Sequence, residues 1–451
     1  GINATLLNTN EEGYVIENQL SDADYNYFKK DTITYLSRND WAGTFPKAYV
    51  GLEVTEAMTK YLGTSSTNSS NVYTIKSGGT LKAEFDVDHS MEDDENGNPK
   101  ENKVIAEYKG FAYDDESWDY LLEQITFDEA WKFSPYGGRS CKAFKSVNAP
   151  EVWQIDGPNG NVTRTVGKYS SKNGPMAMSS SDDYYNYMTA DMPCEPTIAA
   201  TFNKELLEEE GESFGEDSLW SNNCIAWAPG MNLHRTPFNS RNHEYYSEDP
   251  MLTNICGTAF VRGGVKKGAI LSAKHFAFNT QESYREGLTQ FMEEQSAREL
   301  ELRAFQGVTQ DVKYINFKGN EVNALGLMTS FSRIGVCGVN AHTGLMKNIL
   351  RGEWGFKGLS STDMVVGGRY FNPQDSIINN VTFMATSNAE NLLSNYWPEY
   401  NNKNKVRSDA NLVNAMYENM HYYMYALANS NALNGYDANT VIVDDQVTWW
   451  E

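Results

Sequence analysis

The chain has 451 residues, of which 40% are hydrophobic, with 10 Trp, 27 Tyr and 20 Phe. That is apolar surface enough for one large domain or for several ordinary ones. The formal net charge is −23, from 37 basic and 60 acidic residues. Such a surface repels phosphate backbones and anionic head groups, so nucleic acid is not an expected partner and a neutral ligand is compatible. No run of about 18 apolar residues is present to span a membrane. The cysteines Cys141, Cys194, Cys224, Cys256 and Cys337 are widely spaced with no CxxC pair, which argues for free thiols over a zinc site or a disulfide scaffold.

In chain order, Asp24–Leu36 repeats apolar and aromatic residues at helical spacing. The stretch 63–102 is rich in Ser, Asn and Gly, then acidic, and reads as a long loop. Trp118–Ile125 is an amphipathic helix. From there short apolar runs alternate with helical stretches. Strands are predicted at Val152–Ile155, Ile225–Ala228, Ala269–Ala273, Ala324–Thr329 and Gly358–Ser361. Helices are predicted at Lys204–Asn222, Leu288–Val312, Thr343–Gly352 and Ala410–Asn429. Strands separated by helices imply βα units and a parallel sheet, and their spread favours an α/β fold of the TIM-like (β/α)8 barrel type. No glycine-rich phosphate loop follows any of these strands.

The polar residues just beyond each apolar run are informative. Asp156-Gly157-Pro158 comes after the first, and Asn232-Leu233-His234-Arg235 then Arg241 after the second. Lys274-His275 comes after the third, Ser330-Phe331 after the fourth and Thr362-Asp363 after the fifth. Any one of these reads as a turn or a surface pair. Charged and imidazole groups at successive strand ends converge on one pocket if the strands form a barrel. That set suits glycoside cleavage. A carboxylate (Asp363) attacks the anomeric carbon, and Lys274, His275, Arg241 and Arg285 hold hydroxyls and keep the carboxylate ionised. The chemistry calls for no metal and no cofactor.

At these positions the sequence resembles the family 3 glycoside hydrolases. The resemblance rests on Ala228–Pro237 with Arg241–Pro250, on Lys274–Asn279 with Gln281, Glu282 and Arg285, and on Leu350–Gly358 leading into Thr362-Asp363. It covers about residues 110–430, the family's barrel domain. It implies a retaining β-glucosidase-type hydrolase that takes a β-glucoside or oligosaccharide. Asp363 would be the nucleophile. Asp156, Arg241, Lys274, His275, Arg285, Met328 and Met364 would line the sugar site. Two positions depart from the family. Met364 stands where a Trp usually follows the nucleophile, and Phe331 stands where a Tyr usually hydrogen-bonds it. These departures motivate an alternative, a non-catalytic sugar-binding or structural protein on a retained barrel.

In the family the general acid is a Glu from a separate α/β sandwich domain. Residues 1–50 resemble the tail of that domain and its junction in relatives of reversed order, 51–110 a linker or insert, 111–430 the barrel and 431–451 an extension. The resemblance therefore implies a second chain that carries the sandwich domain and the acid/base Glu, the alternative being a fragment.

Overall fold

The computed structural model describes residues 18–35, 51–62, 72–138, 140–161, 189–221, 223–365, 371–386 and 389–440. Most of the proposed junction (36–50), part of the expected loop (63–71) and the C-terminal residues 441–451 lie outside the described residues.

The centre is a curled six-stranded sheet in the order β1 (Ser140–Cys141), β2 (Val152–Asp156), β3 (Ile225–Trp227), β4 (Ile270–Phe276), β8 (Gly326–Thr329), β11 (Leu359–Thr362). From β2 to β11 neighbours run parallel, and β1 is an antiparallel edge. Strands covered on both faces need not alternate between apolar and polar residues, and every residue of β4, β8 and β11 is buried, the polar ones included. Past β11 the chain returns beside it. Thr362 N–H donates to Phe383 O at 3.1 Å and Val365 N–H to Ala385 O at 2.7 Å. Residues 134–138 then run between this segment and β2. Met384 N–H donates to Ser134 O at 2.7 Å, and Gln154 Nε2 of β2 donates to the carbonyls of Gly137 and Gly138. Among the described residues the expected eight-stranded barrel is thus a curled part-barrel, with irregular backbone between its edges.

The small strands β5 (Thr289–Gln290), β9 (Arg333–Ile334) and β10 (Cys337–Gly338) form a separate sheet, and β6 (Tyr314–Ile315) with β7 (Glu321–Val322) a hairpin. Helix α1 (Lys204–Trp220) starts at Asn203, whose side chain accepts from Leu206 N–H. Helix α2 (Pro250–Lys266) starts at Asp249, which accepts from Leu252 N–H, with Pro at the first helical position. Their backbones touch. A Cβ on Gly211 would sit 2.0 Å from Phe260 O, and one on Gly263 2.1 Å from Glu208 O. Helix α3 (Leu302–Gln310) follows a π-helical turn at Ala297–Glu301, and α4 (Gly344–Glu353) is π-helical. Helix α5 (Ala410–Ala428) is capped by Asp409. One apolar cluster runs from Leu20 to Tyr436 through the sheet and its helices.

Three expectations are corrected. Leu288–Val312 is not one helix. Thr289 and Gln290 pair with Arg333 and Ile334, and helical structure begins at Glu294. Asp24–Leu36 yields only a short helix at Tyr25–Phe28. Asn26 Oδ1 accepts from the N–H groups of Thr32 and Ile33, which folds the chain back at once. Finally, β4 does not end at Ala273 but carries Lys274, His275 and Phe276 within it.

Candidate active site

Asp363 follows the last residue of β11 and is 7% exposed. Its Oδ1 accepts from Met364 N–H at 2.7 Å. Its Oδ2 has no hydrogen-bond partner among the described residues. That oxygen lies 3.6 Å from His275 Nε2 and 3.7 Å from an Arg285 guanidinium nitrogen. Burial pushes the Asp363 pKa up to about 6, against the pull of Arg285, the Met364 N–H, Lys274 and Arg241. The expected ring of cations therefore does not hold the carboxyl below its ordinary range. Burial outweighs their pull, and the cations are themselves paired with other carboxylates. Lys274 Nζ is 2.9 Å from both Asp156 Oδ1 and Glu244 Oε1. Arg241 makes a bidentate pair with Glu244, both contacts at 2.7 Å. Arg285 is shared with Glu282, at 3.3 Å.

Burial would raise the Glu244 pKa, but Lys274 and Arg241 outweigh it and hold it down at about 2. Burial would lower the Lys274 pKa, but Asp156 and Glu244 keep it above its ordinary value. Arg241 is held up in the same way by Glu244. His275 goes the other way. Burial, then Arg241, Lys274 and Arg285, push its pKa well below the usual imidazole value, so it is neutral. Its Nδ1 lies 3.3 Å from Asn232 Oδ1 and its Nε2 3.3 Å from Arg241. A proton on Nδ1, donated to Asn232, leaves Nε2 to accept from Arg241 and satisfies both contacts. Asn232 also brackets the His275 backbone, accepting its N–H and donating to its carbonyl.

The geometry thus brings Asp156, Arg241, Lys274, His275, Arg285 and Asp363 into one connected network. Met328 is buried on β8 and paired with Ser361, two residues before Asp363. Met364 supplies its backbone N–H and packs its side chain partly into the main core. Phe331 lies under Arg285, with the guanidinium carbon 4.7 Å from the ring centre. Glu244, Glu282 and Asn232 were given no role in the site from the sequence. Their signal was available, since each sits inside a stretch already identified and a buried Lys or Arg demands a carboxylate partner.

Residues 184–381, which contain all of this network except Asp156, match the model of the glycosyl hydrolase family 3 N-terminal domain. That stretch, 198 of the 451 residues, is similar to the family 3 N-terminal domain. Beta-glucosidase BoGH3A of Bacteroides ovatus is 28% identical over 246 residues, covering 54% of this chain and 30% of that protein. Beta-glucosidase A of Butyrivibrio fibrisolvens is 33% identical over 206 residues, covering 46% of this chain and 23% of that protein. The structure of β-glucosidase 3B from Thermotoga neapolitana in complex with α-D-glucose is similar in fold. Its TM-score is 0.59 at 25% identity, over 70% of this chain and 43% of that one. The chain therefore spans under half of the length of these proteins.

Proposed function

We propose that this chain is a family 3 glycoside hydrolase chain and carries the nucleophile half of a retaining β-glucosidase-type hydrolase acting on a terminal β-linked glucose. The supporting observation is the asymmetry of Asp363: one oxygen is held by a backbone N–H while the other is buried, unpartnered and next to Arg285 and His275. In the proposed reaction Oδ2 forms a bond to the anomeric carbon as the glycosidic C–O bond breaks. An acid protonates the departing oxygen. Water then attacks the glycosyl ester, giving its proton to the same group and freeing Asp363. Asp156, Arg241 and Lys274 bind sugar hydroxyls, and neutral His275 presents Nε2 as an acceptor without adding charge. Met328 and Met364 border the ring.

We assign residues 111–430 to a closed barrel, with the segments at 134–138 and 382–386 completing the curl. We assign the acid to a Glu on a sandwich domain carried by a second chain, about 5–5.5 Å from Asp363 as retention requires. The test is to incubate the complete protein with a 2-fluoro-β-glucoside bearing an activated leaving group. A fluoroglucosyl adduct on the peptide containing Asp363 is expected. A hydrolytically active protein whose label sits on another residue would sink the assignment. Phe331 favours a second reading, a sugar-binding protein without turnover. It is distinguished by glucose binding without any adduct or hydrolysis.

A further inference from the structure

A cavity of about 310 Å³ shares no lining residue with the network around Asp363. Arg235, Thr280, Gln290, Phe291, Ser296 and Glu301 are among those that line it. Glu301 is the unusual member. Its side chain is 3% exposed, and its Oε1 faces Arg235 Nε at 3.7 Å. Its Oε2 has no hydrogen-bond partner among the described residues. Buried carboxylates are paired and saturated with donors as a rule, and this one is half satisfied. It projects from the π-helical turn Ala297–Glu301. Burial raises its pKa to about 7, only partly offset by Arg235.

The other walls narrow the ligand. Thr280 Oγ1 donates to Gln290 Oε1 at 3.0 Å, which leaves the hydroxyl oxygen free to accept. Phe291, Met292 and Leu300 supply an apolar side. A cation drawn to Glu301 would also face Arg235, and an anion drawn to Arg235 would face Glu301. A neutral molecule rich in hydroxyls avoids both penalties. It donates to the carboxylate, accepts from the guanidinium, and lays C–H groups on the apolar wall. The volume suits one six-membered ring. We infer that this cavity is a second binding site, for a neutral polyhydroxylated ligand of monosaccharide size, with the half-satisfied carboxylate of Glu301 as its principal acceptor. The site does not depend on the reading of Asp363. It adjoins that network through the loop from Thr280 to Gln290, which also carries Glu282 and Arg285, and through the segment from Asn232 to Arg241, which carries Arg235.

Titration calorimetry of the complete protein with glucose, with the variants Ser296→Trp, Glu301→Gln and Asp156→Ala, tests it. Ser296→Trp fills the cavity, and Glu301→Gln keeps its shape while replacing the acceptor. The expected result is two sites per chain. One is lost in Ser296→Trp and at least tenfold weaker in Glu301→Gln, yet unchanged in Asp156→Ala. A single site with that same variant pattern still supports the cavity while removing the sugar reading of the Asp363 network. Glucose binding that ignores both Ser296→Trp and Glu301→Gln overturns the inference. So does an absence of glucose binding in the native protein. Should Ser296→Trp fail to fold, the Glu301→Gln titration decides alone.

Discussion

Asp363 shows why charge at a site cannot be read by counting cations in the sequence. Lys274, Arg241 and Arg285 were all expected to stabilise its ionised form, and all three lie in the network. Each of the three is paired with a carboxylate, Lys274 with Asp156 and Glu244, Arg241 with Glu244 and Arg285 with Glu282. Burial then prevails, and the carboxyl titrates near pH 6 rather than near 3.8. The rise makes the folded state bind the proton more tightly than the unfolded chain. Its contribution to stability is therefore full below pH 3.8 and lost as pH rises through about 6. Holding the charge at pH 7 costs about 3 kcal/mol, and roughly half of that at pH 5. Asp363→Asn should thus abolish hydrolysis, by about a thousandfold or more, while unfolding at higher denaturant than the native protein at pH 7, with a smaller gain at pH 5. A variant less stable at pH 7 would contradict the buried-charge account. If Asp363 acts ionised, kcat/KM should fall as pH drops through about 6. Phe331→Tyr offers a hydroxyl beside Arg285 and Asp363. A hydrogen bond to a charged group contributes about 1.5–3 kcal/mol, so the acid limb should move down by about one pH unit or more. An unmoved limb in a folded Phe331→Tyr protein would show that the ring does not reach the carboxylate. Most of the candidate site was legible, because its residues lie just past apolar runs. Of the neutralising carboxylates only Asp156 was assigned to the site: Glu244 and Glu282 pair locally with Arg241 and Arg285, but the tie of Glu244 to Lys274 joins residues 30 apart and leaves no trace in local spacing.

At the scale of elements, the predicted strands at 152, 225, 269, 324 and 358 all recur in the central sheet, shifted by a residue or so at most of their ends. Continuous apolar runs with polar residues just beyond them carried that information. Where the sequence misled, a tertiary contact outweighed local periodicity. Thr289 and Gln290 fit a helix by pattern, yet the edge offered by Arg333 and Ile334 drew them into a sheet. Lys274 and His275 end the apolar run at β4, yet buried carboxylate, amide and guanidinium partners let the strand continue through them. Packing of α1 on α2 was also beyond local reading, because it depends on glycines that face each other. With no Cβ at Gly211 or Gly263 the two helices approach to backbone contact. Gly211→Ala gains some helix propensity, about 1 kcal/mol, but drives its methyl to 2.0 Å from Phe260 O. Overpacking of this kind typically costs about 1–3 kcal/mol and more against rigid backbone. A net loss of roughly 1–3 kcal/mol in denaturant unfolding is expected. A stabilised Gly211→Ala protein would show that the helices can part freely.

At the scale of the whole molecule, the network around Asp363 lacks one partner that the proposed reaction requires. Among the described residues the other carboxyls of the network are committed to cations: Asp156 to Lys274, Glu244 to Lys274 and Arg241, and Glu282 to Arg285. Glu244, with its pKa held at about 2, cannot deliver a proton near neutrality. If the acid comes from a sandwich domain on a second chain, its absence should bear on the two halves of the reaction unequally. Departure of dinitrophenolate needs little protonation, whereas departure of an alkoxide needs a great deal. This chain alone, folded, should therefore form the glycosyl ester from a dinitrophenyl β-glucoside and then stall, because general-base help for water is missing. It should leave an alkyl β-glucoside essentially uncleaved. Joining it to the sandwich domain should speed the alkyl substrate by far more than the dinitrophenyl one, in line with the roughly 10²–10⁴-fold contribution of a positioned acid. A burst of dinitrophenolate equal to the chain concentration, followed by slow turnover, is the measurement. Equal acceleration of both substrates by the sandwich domain would mean that it shapes the pocket rather than supplying the proton.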